Sequence, residues 1–354
     1  MAEFDPAPNE AITLEIGAKQ MNFFAVPNPK ANFLALAIEG RKAVVFQLHL
    51  QSGNGYFALK VMRAAHRLQD LESICRGLTE LKQLPGMRVC ERYCLTPHNA
   101  PVTLARCPDL EYAILMPWVK GNTWSGILAA GRNGGLAPFN RYSATRLATN
   151  FAVTIARLEE MGIAHCDLAG QNIIIEPHSE FIQLIDVEDM FRPKAPPPAH
   201  IPAGTAGYQH RTSGRGQWSP EADRFAAAIL ICEMLTWHDP AVRAISFEES
   251  YFEPRELQSG HSSRLDAMLR ALAQLDPRLS ALLNSAWNSQ SLSECPRVAD
   301  WKEVLTGLDN GIKGGNWDLK NEASVTFVPW STDMTKPVIS WSDWGEALAE
   351  KEHH

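Results

Sequence analysis

The period of the hydrophobic pattern changes along this chain, and that change restricts the fold more than any single residue does. Up to Arg63 the apolar residues come in short runs divided by turn-formers. Ala31–Ile38 and Ala43–His49 are joined by Glu39-Gly40-Arg41-Lys42, and Gln51-Ser52-Gly53-Asn54-Gly55 leads into Tyr56–Arg63. Such runs read as strands joined by short loops. From Arg67 to Leu84 the spacing turns helical, with Leu68, Leu71, Cys75, Leu78 and Leu81 three or four apart, and Pro85-Gly86 stops it. One more apolar strand, Tyr112–Met116, precedes Pro117-Trp118-Val119-Lys120-Gly121. Beyond that point helices dominate. Strands with one helix, then mostly helices, predict an α+β chain with the two kinds of element kept apart.

The helical part has its own punctuation. Ala144–Met161 is amphipathic and ends at Gly162, a residue suited to the left-handed helix terminus. Asn172–Ile175 and Phe181–Ile185 are short apolar runs, and the proline-rich Phe191–Ala203 predicts an extended loop. Ser219-Pro220-Glu221 predicts a helix start with Ser219 as N-cap, ahead of the apolar run Ala226–Leu235. Leu265–Leu275 and Arg297–Leu308 predict further surface helices, and no solenoid repeat is present. The last stretch differs: Gly311–Lys320 is glycine-rich, and Val325–Trp341 carries strand-formers with Trp330 and Trp341.

A formal charge of -7 argues against a protein that coats nucleic acid. No run approaches the roughly 18 apolar residues of a membrane helix. Met1-Ala2-Glu3-Phe4-Asp5-Pro6 lacks the basic-then-apolar order of a secretion signal, so the expectation is a cytoplasmic protein with no membrane partner. The seven cysteines contain no CxxC pair, and Cys90, Cys94, His98 and Cys107 are too irregularly spaced for a zinc site, so reduced thiols are expected.

The chemistry concentrates in His165-Cys166-Asp167-Leu168-Ala169-Gly170-Gln171-Asn172, with Leu184-Ile185-Asp186-Val187-Glu188 following. This pair of segments resembles the protein kinase catalytic loop H-x-D-L-x-x-x-N and the D-F-G metal position, here D-V-E. Phe57-Ala58-Leu59-Lys60-Val61 is similar to the V-A-I-K strand, and Met116-Pro117-Trp118-Val119 resembles the hinge between lobes. Gly204-Thr205-Ala206-Gly207-Tyr208 resembles the end of an activation segment, and Asp223-Arg224-Phe225 falls where a buried aspartate opens the central helix. The resemblance spans residues 30 to 309 and points to a divergent bacterial serine/threonine kinase-like family. It implies a bilobal fold: residues 30–116 as a small β-rich N-lobe with one helix and 117–309 as a larger helical C-lobe. An N-terminal extension, 1–29, and a tryptophan- and glycine-containing extension, 310–354, flank them.

The implied cofactors are ATP and Mg²⁺, and the implied partner is an unidentified protein substrate. By the resemblance, Lys60 holds the α- and β-phosphates, with Gly40, Met116 and Trp118 also at the nucleotide. Asn172 and Asp186 supply the hard oxygens that Mg²⁺ prefers, and Asp167 takes or orients the proton of the attacking hydroxyl. His165 and Asp223 read as scaffold, the latter accepting backbone N–H groups. Phosphoryl transfer asks for this kind of positioning and charge neutralisation more than for covalent help.

Several positions depart from the family pattern. The phosphate turn has one glycine, Gly40, beside Glu39; Ala169 replaces a lysine and Gln171 an arginine. Cys166 replaces the arginine of H-R-D, so control by a phosphorylated loop is not expected. Glu188 stands at the D-F-G glycine, as an added ligand or a strand cap. Thr212 and Cys295 stand where the family has a buried Glu–Arg pair. Losing one partner would cost about 3–5 kcal/mol, whereas losing both together can be nearly neutral. Either Glu72 or Glu80 is placed to pair with Lys60. The expected activity is phosphate transfer to protein Ser or Thr. The alternative is a pseudokinase that binds nucleotide with little turnover, and AMP transfer or a small-molecule acceptor is a third reading.

Overall fold

The computed structural model describes residues 4–313 except 54, 133–138, 177–179, 199, 215, 249 and 261. Most of the C-terminal extension therefore lies outside the described residues. Two compact units are present. One holds the described residues up to Gln83 together with Met87–Val119; the other holds Leu84–Gly86 and the described residues from Lys120.

The first unit is a mainly antiparallel sheet. In chain order its strands are β1 (Ala11–Ile16), β2 (Lys19–Ala25), β3 (Pro27–Asn28), β4 (Ala31–Ala35), β5 (Ala37–Glu39), β6 (Ala43–Leu50), β7 (Tyr56–Met62), β8 (Tyr93–Cys94) and β9 (Ile114–Pro117). The main sheet runs β1-β2-β6-β7-β9-β8, with β5 also paired to β6. Two helices accompany it, α1 (Leu71–Thr79) and α2 (Pro101–Arg106). Alternation explains the packing: Ile12, Leu14 and Ile16 share one face with Phe23, Phe46, Leu48, Phe57, Leu59 and Val61, and these form one core. On the opposite face Ala43, Met62 and Ile114 pack against Leu71 and Cys75 of α1.

Three sequence expectations change here. Residues 11–25, set apart as an extension, form the first two strands of the sheet. The single strand expected over Ala31–Ile38 is split: β4 pairs with β3 outside the main sheet, and β5 pairs with β6. The helix expected over Arg67–Leu84 is confined to Leu71–Thr79, because Leu68 is 45% exposed and adds nothing to the buried stripe of Leu71, Cys75 and Leu78.

The second unit holds a small sheet and eight helices among the described residues. The strands are β10 (Asn122–Thr123), β11 (Ile173–Ile175) and β12 (Ile182–Leu184), in that order. The helices are α3 (Trp124–Arg132), α4 (Arg141–Glu160), α5 (Arg224–Thr236), α6 (Pro240–Ile245), α7 (Pro254–Ser259), α8 (Ser263–Leu275), α9 (Pro277–Asn288) and α10 (Val298–Lys313). Asn140 caps α4 by accepting the Ser143 N–H at 2.9 Å, and Gly162, at φ 68°, ends it as expected. Every side chain of α5 from Phe225 to Thr236 is buried, which suits a helix apolar on all sides, with α4 and α9 packed against it. Ser219 does not open this helix. It closes a separate turn with Ala222, and the first helical bond runs from Ala227 N–H to Asp223 O at 2.8 Å. Asp223 occupies the N-cap position with its carboxylate committed elsewhere.

Candidate functional site

The loop after α4 is held by Asp223. Its two carboxylate oxygens accept the backbone N–H groups of His165, at 2.5 Å, and Cys166, at 2.9 Å. Cys166 is in the left-handed region, at φ 66°, a conformation that costs a non-glycine residue and persists only under such constraint. Burial pushes the Asp223 carboxyl up from its ordinary value, and the N–H donors oppose that shift. The His165 ring is fully buried and lies 2.8 Å from Ile185 O through Nε2. A carbonyl can only accept, so Nε2 carries the proton.

The β11–β12 hairpin then brings the two halves of the motif together. Ile173 pairs with Leu184, and the ladder continues one step further through the Ile185 N–H to Asn172 O bond of 3.0 Å. Asn172 and the residue after Ile185, Asp186, are thus placed at the same end of the hairpin. Asp186 is itself left-handed, at φ 57°. The Asn172 amide donates to Asp167 O at 2.7 Å and approaches Asp167 Oδ2 at 3.5 Å, which leaves its carbonyl oxygen on the other side. An amide oxygen and a carboxylate are the donor chemistry of an Mg²⁺ site completed by phosphate and water.

Asp167 has a further partner. Thr205 Oγ1 donates to Asp167 Oδ1 at 2.9 Å and accepts from Gln171 Nε2 at 3.3 Å. Three residues on, the Tyr208 hydroxyl donates to Glu233 Oε2 at 3.1 Å. Glu233 lies wholly buried in α5 and also accepts from Trp124 Nε1, at 2.8 Å, and Tyr251 N–H, at 2.7 Å. Burial raises its carboxyl to about 7 in spite of those three donors. Glu233 escaped the sequence reading. The signal was available, since it is the one acidic residue in the apolar run Phe225–Leu235.

Thr212 and Cys295, expected as the matched loss of a buried ion pair, are joined through uncharged groups. Thr212 Oγ1 lies 2.8 Å from His210 Nδ1, His210 Nε2 lies 3.1 Å from Ser289 Oγ, and Ser289 Oγ lies 3.1 Å from Cys295 Sγ. An uncharged hydrogen-bonded chain thus runs from Thr212 to Cys295. Burial holds the His210 pKa below its ordinary value.

In the first unit Lys60 is buried near the middle of β7, opposite Val45 and Ile114, and shares a sheet face with Ala58 and Met62, the face that α1 covers. Glu72, on α1, is half-buried and 3.6 Å from Arg76, whereas Glu80 is exposed at the C-terminus of that helix. Gly40 belongs to a tight turn whose N–H is taken by Ala43 O at 2.8 Å; it is not offered to a phosphate here. Met116 is buried in β9, and Trp118 continues the strand, its N–H bonded to Tyr56 O at 3.0 Å. Cys94 packs onto α1, where a hydrogen bond with Cys75, together with burial, pushes its thiol up. No three or more His, Cys, Asp or Glu side chains converge on a metal-holding group among the described residues, and no disulfide forms. No helix among them is long and apolar enough to cross a membrane.

No protein-family model matches the chain, and comparison with curated proteins finds no match.

Proposed function

We propose that the chain is an ATP-dependent phosphotransferase that modifies serine or threonine hydroxyls of a protein, on a bilobal protein kinase-like fold. The observation that carries this reading is the convergence of Asp167, Asn172 and Asp186 at one end of the β11–β12 hairpin, with a threonine hydroxyl already seated on Asp167 at 2.9 Å. A carboxylate that accepts one hydroxyl proton in this place is positioned to accept another. In the transfer, the acceptor oxygen bonds to the γ-phosphorus, the bond from that phosphorus to the β-bridging oxygen breaks, ADP leaves, and the acceptor proton passes to Asp167. Asn172 and Asp186 would hold Mg²⁺, whose chemistry there is neutralisation of phosphate charge. Lys60 takes the α- and β-phosphates. Localisation in the cytoplasm belongs to the same reading.

A second reading, a nucleotide-binding pseudokinase, is favoured by two observations. Ala169 is fully buried where the resemblance expects a cation, and the Gly40 N–H is consumed within its own turn. Intact-protein mass after incubation with Mg-ATP and a generic protein acceptor separates the two. Phosphate gain that vanishes in Asp186→Ala supports transfer. Thermal stabilisation by nucleotide with no mass gain overturns it in favour of the pseudokinase, and a gain of AMP mass points to nucleotidyl transfer.

A further inference from the structure

Two hydroxyls of one turn, those of Thr205 and Tyr208, rest on carboxylates in different surroundings. The Tyr208 N–H closes the turn on Thr205 O at 3.0 Å, with left-handed glycines at Gly204, φ 81°, and Gly207, φ 92°. Tyr208 is buried, and its partner Glu233 is wholly so. Thr205 is half-buried, and Gly204 and Ala206 on either side of it are exposed. Its hydroxyl gives its single proton to Asp167 Oδ1 at 2.9 Å, since a carboxylate can only accept. The Gln171 amide nitrogen, a donor, meets one lone pair of the same oxygen at 3.3 Å. A hydroxyl oxygen has two, so one lone pair of Oγ1 stays outside both bonds. Asp167 is itself held: the Asn172 amide donates to its backbone carbonyl at 2.7 Å and lies 3.5 Å from Oδ2. A hydroxyl bonded to a base that a third group orients is the arrangement of an activated nucleophile.

We propose that Thr205 is a modification site of this chain: its hydroxyl takes the terminal phosphate of a nucleoside triphosphate within the same molecule. The step rests on the phosphotransferase reading, which supplies the triphosphate. Thr205 Oγ1 bonds to the terminal phosphorus through its remaining lone pair, and the bond from that phosphorus to the bridging oxygen breaks. The diphosphate leaves, and the Oγ1 proton passes to Asp167 Oδ1. Hydroxyl and base already touch within one chain, so no second molecule is needed to present the acceptor. The product ends its own contact. A phosphothreonine carries about −1.5 to −2 charge, so it repels Asp167 instead of donating to it. Tyr208 is the internal comparison. Its hydroxyl also meets a carboxylate, but Glu233 is wholly buried and receives Trp124 Nε1 and the Tyr251 N–H as well, so Tyr208 stays unmodified.

The test is peptide mapping of the full chain after incubation with Mg-ATP, with a generic protein acceptor present. Cleavage after Lys194 and Arg211 isolates Ala195–Arg211, in which Thr205 and Tyr208 carry the hydroxyls. The expected product is one phosphate on Thr205 and none on Tyr208. The fraction modified per unit time should not change when the protein is diluted about tenfold, as an intramolecular step requires. In a mixture with Asp186→Ala chains, told apart by intact mass, only wild-type chains should carry it. Asp167→Asn should lower the rate at Thr205 about a hundredfold or more, the usual contribution of a general base. Thr205→Ser should still be modified at that position. Phosphate on the acceptor with Ala195–Arg211 unmodified overturns the proposal and leaves the phosphotransferase reading standing, with Thr205 no more than a latch for Asp167. Phosphate on Tyr208 instead, or on Thr205 of the Asp186→Ala chains, also overturns it. With neither the acceptor nor Thr205 modified, both fall together.

Discussion

Replacing Asp223 by alanine should damage the loop that carries Asp167 before it damages anything else. The carboxylate accepts two buried backbone N–H groups, at 2.5 and 2.9 Å, from His165 and Cys166. Removing it leaves both donors without a partner, and each buried unsatisfied group costs about 1–3 kcal/mol, so the pair costs about 2–6 kcal/mol. That is a large share of a stability of about 5–15 kcal/mol. Asp223→Asn keeps one acceptor and turns an N–H₂ towards the second donor, so it should retain part of the loss. The left-handed Cys166, held at φ 66° by these bonds, should relax first. The assay is urea unfolding followed by far-UV signal, together with hydrogen exchange at His165 and Cys166. At a slope of about 3 kcal/mol per molar urea, a loss of 3 kcal/mol moves the midpoint by about 1 M. An alanine variant within about 0.5 kcal/mol of wild type, with unchanged exchange at both amides, would refute the reasoning.

Three further outcomes are expected. Glu233 has a folded pKa of about 7 against an ordinary 4.5, so the fold binds its proton more tightly than the unfolded chain does. The resulting stability is complete below pH 4.5 and is lost as pH rises through 7, up to about 3 kcal/mol; in Glu233→Gln this slope should disappear from urea midpoints taken across that range, and its persistence would count against the assignment. Gly121, at φ 143°, has no room for a side chain, since a Cβ would stand 2.1 Å from Ile175 O; Gly121→Ala should cost about 1–3 kcal/mol or more, read as a fall in melting temperature. On the proposed phosphotransferase reading, Thr205→Val, which cannot donate to Asp167, should lower transfer about tenfold while Thr205→Ser stays near wild type, and equal losses in the two would show that the hydroxyl is not what matters.

The sequence reading succeeded where local signals act alone. Gly162 ends α4, the β6 and β7 runs form strands, and the spacing from Asn172 to Asp186 closes a hairpin, because periodicity and turn chemistry decide these features. It failed where a side chain is claimed by a distant partner. Ser219-Pro220-Glu221 has the composition of a helix start, yet the helix waits until Arg224, because Asp223 holds a loop nearly sixty positions earlier in the chain. Thr212 and Cys295 were legible as a matched loss of charge. The connection between them was not, because His210 and Ser289 carry no pattern that singles them out. β1 and β2 were passed over because their short alternation gains its meaning only once β6 lies alongside.

The strand beside β6 is interrupted, and the interruption separates what the chain must keep from what it is free to change. Ala25 stands opposite Leu48 and Ala37 opposite Phe46, so twelve steps along one strand match two along its partner, and ten residues are looped out as the β3–β4 hairpin. Val26 N–H bonds to Gln47 O, and Gln47 N–H bonds to Leu36 O, so one residue of β6 serves both ends of the break. The Leu36 N–H to Val26 O bond, at 2.6 Å, shows how near those ends lie. The length of the hairpin is therefore decoupled from the register on either side. A shorter or longer excursion would leave every pair of the ladder in place, at an entropy cost that grows only as the logarithm of its length. Variation among descendants of this chain is expected to collect there, with the flanking pairs inherited unchanged.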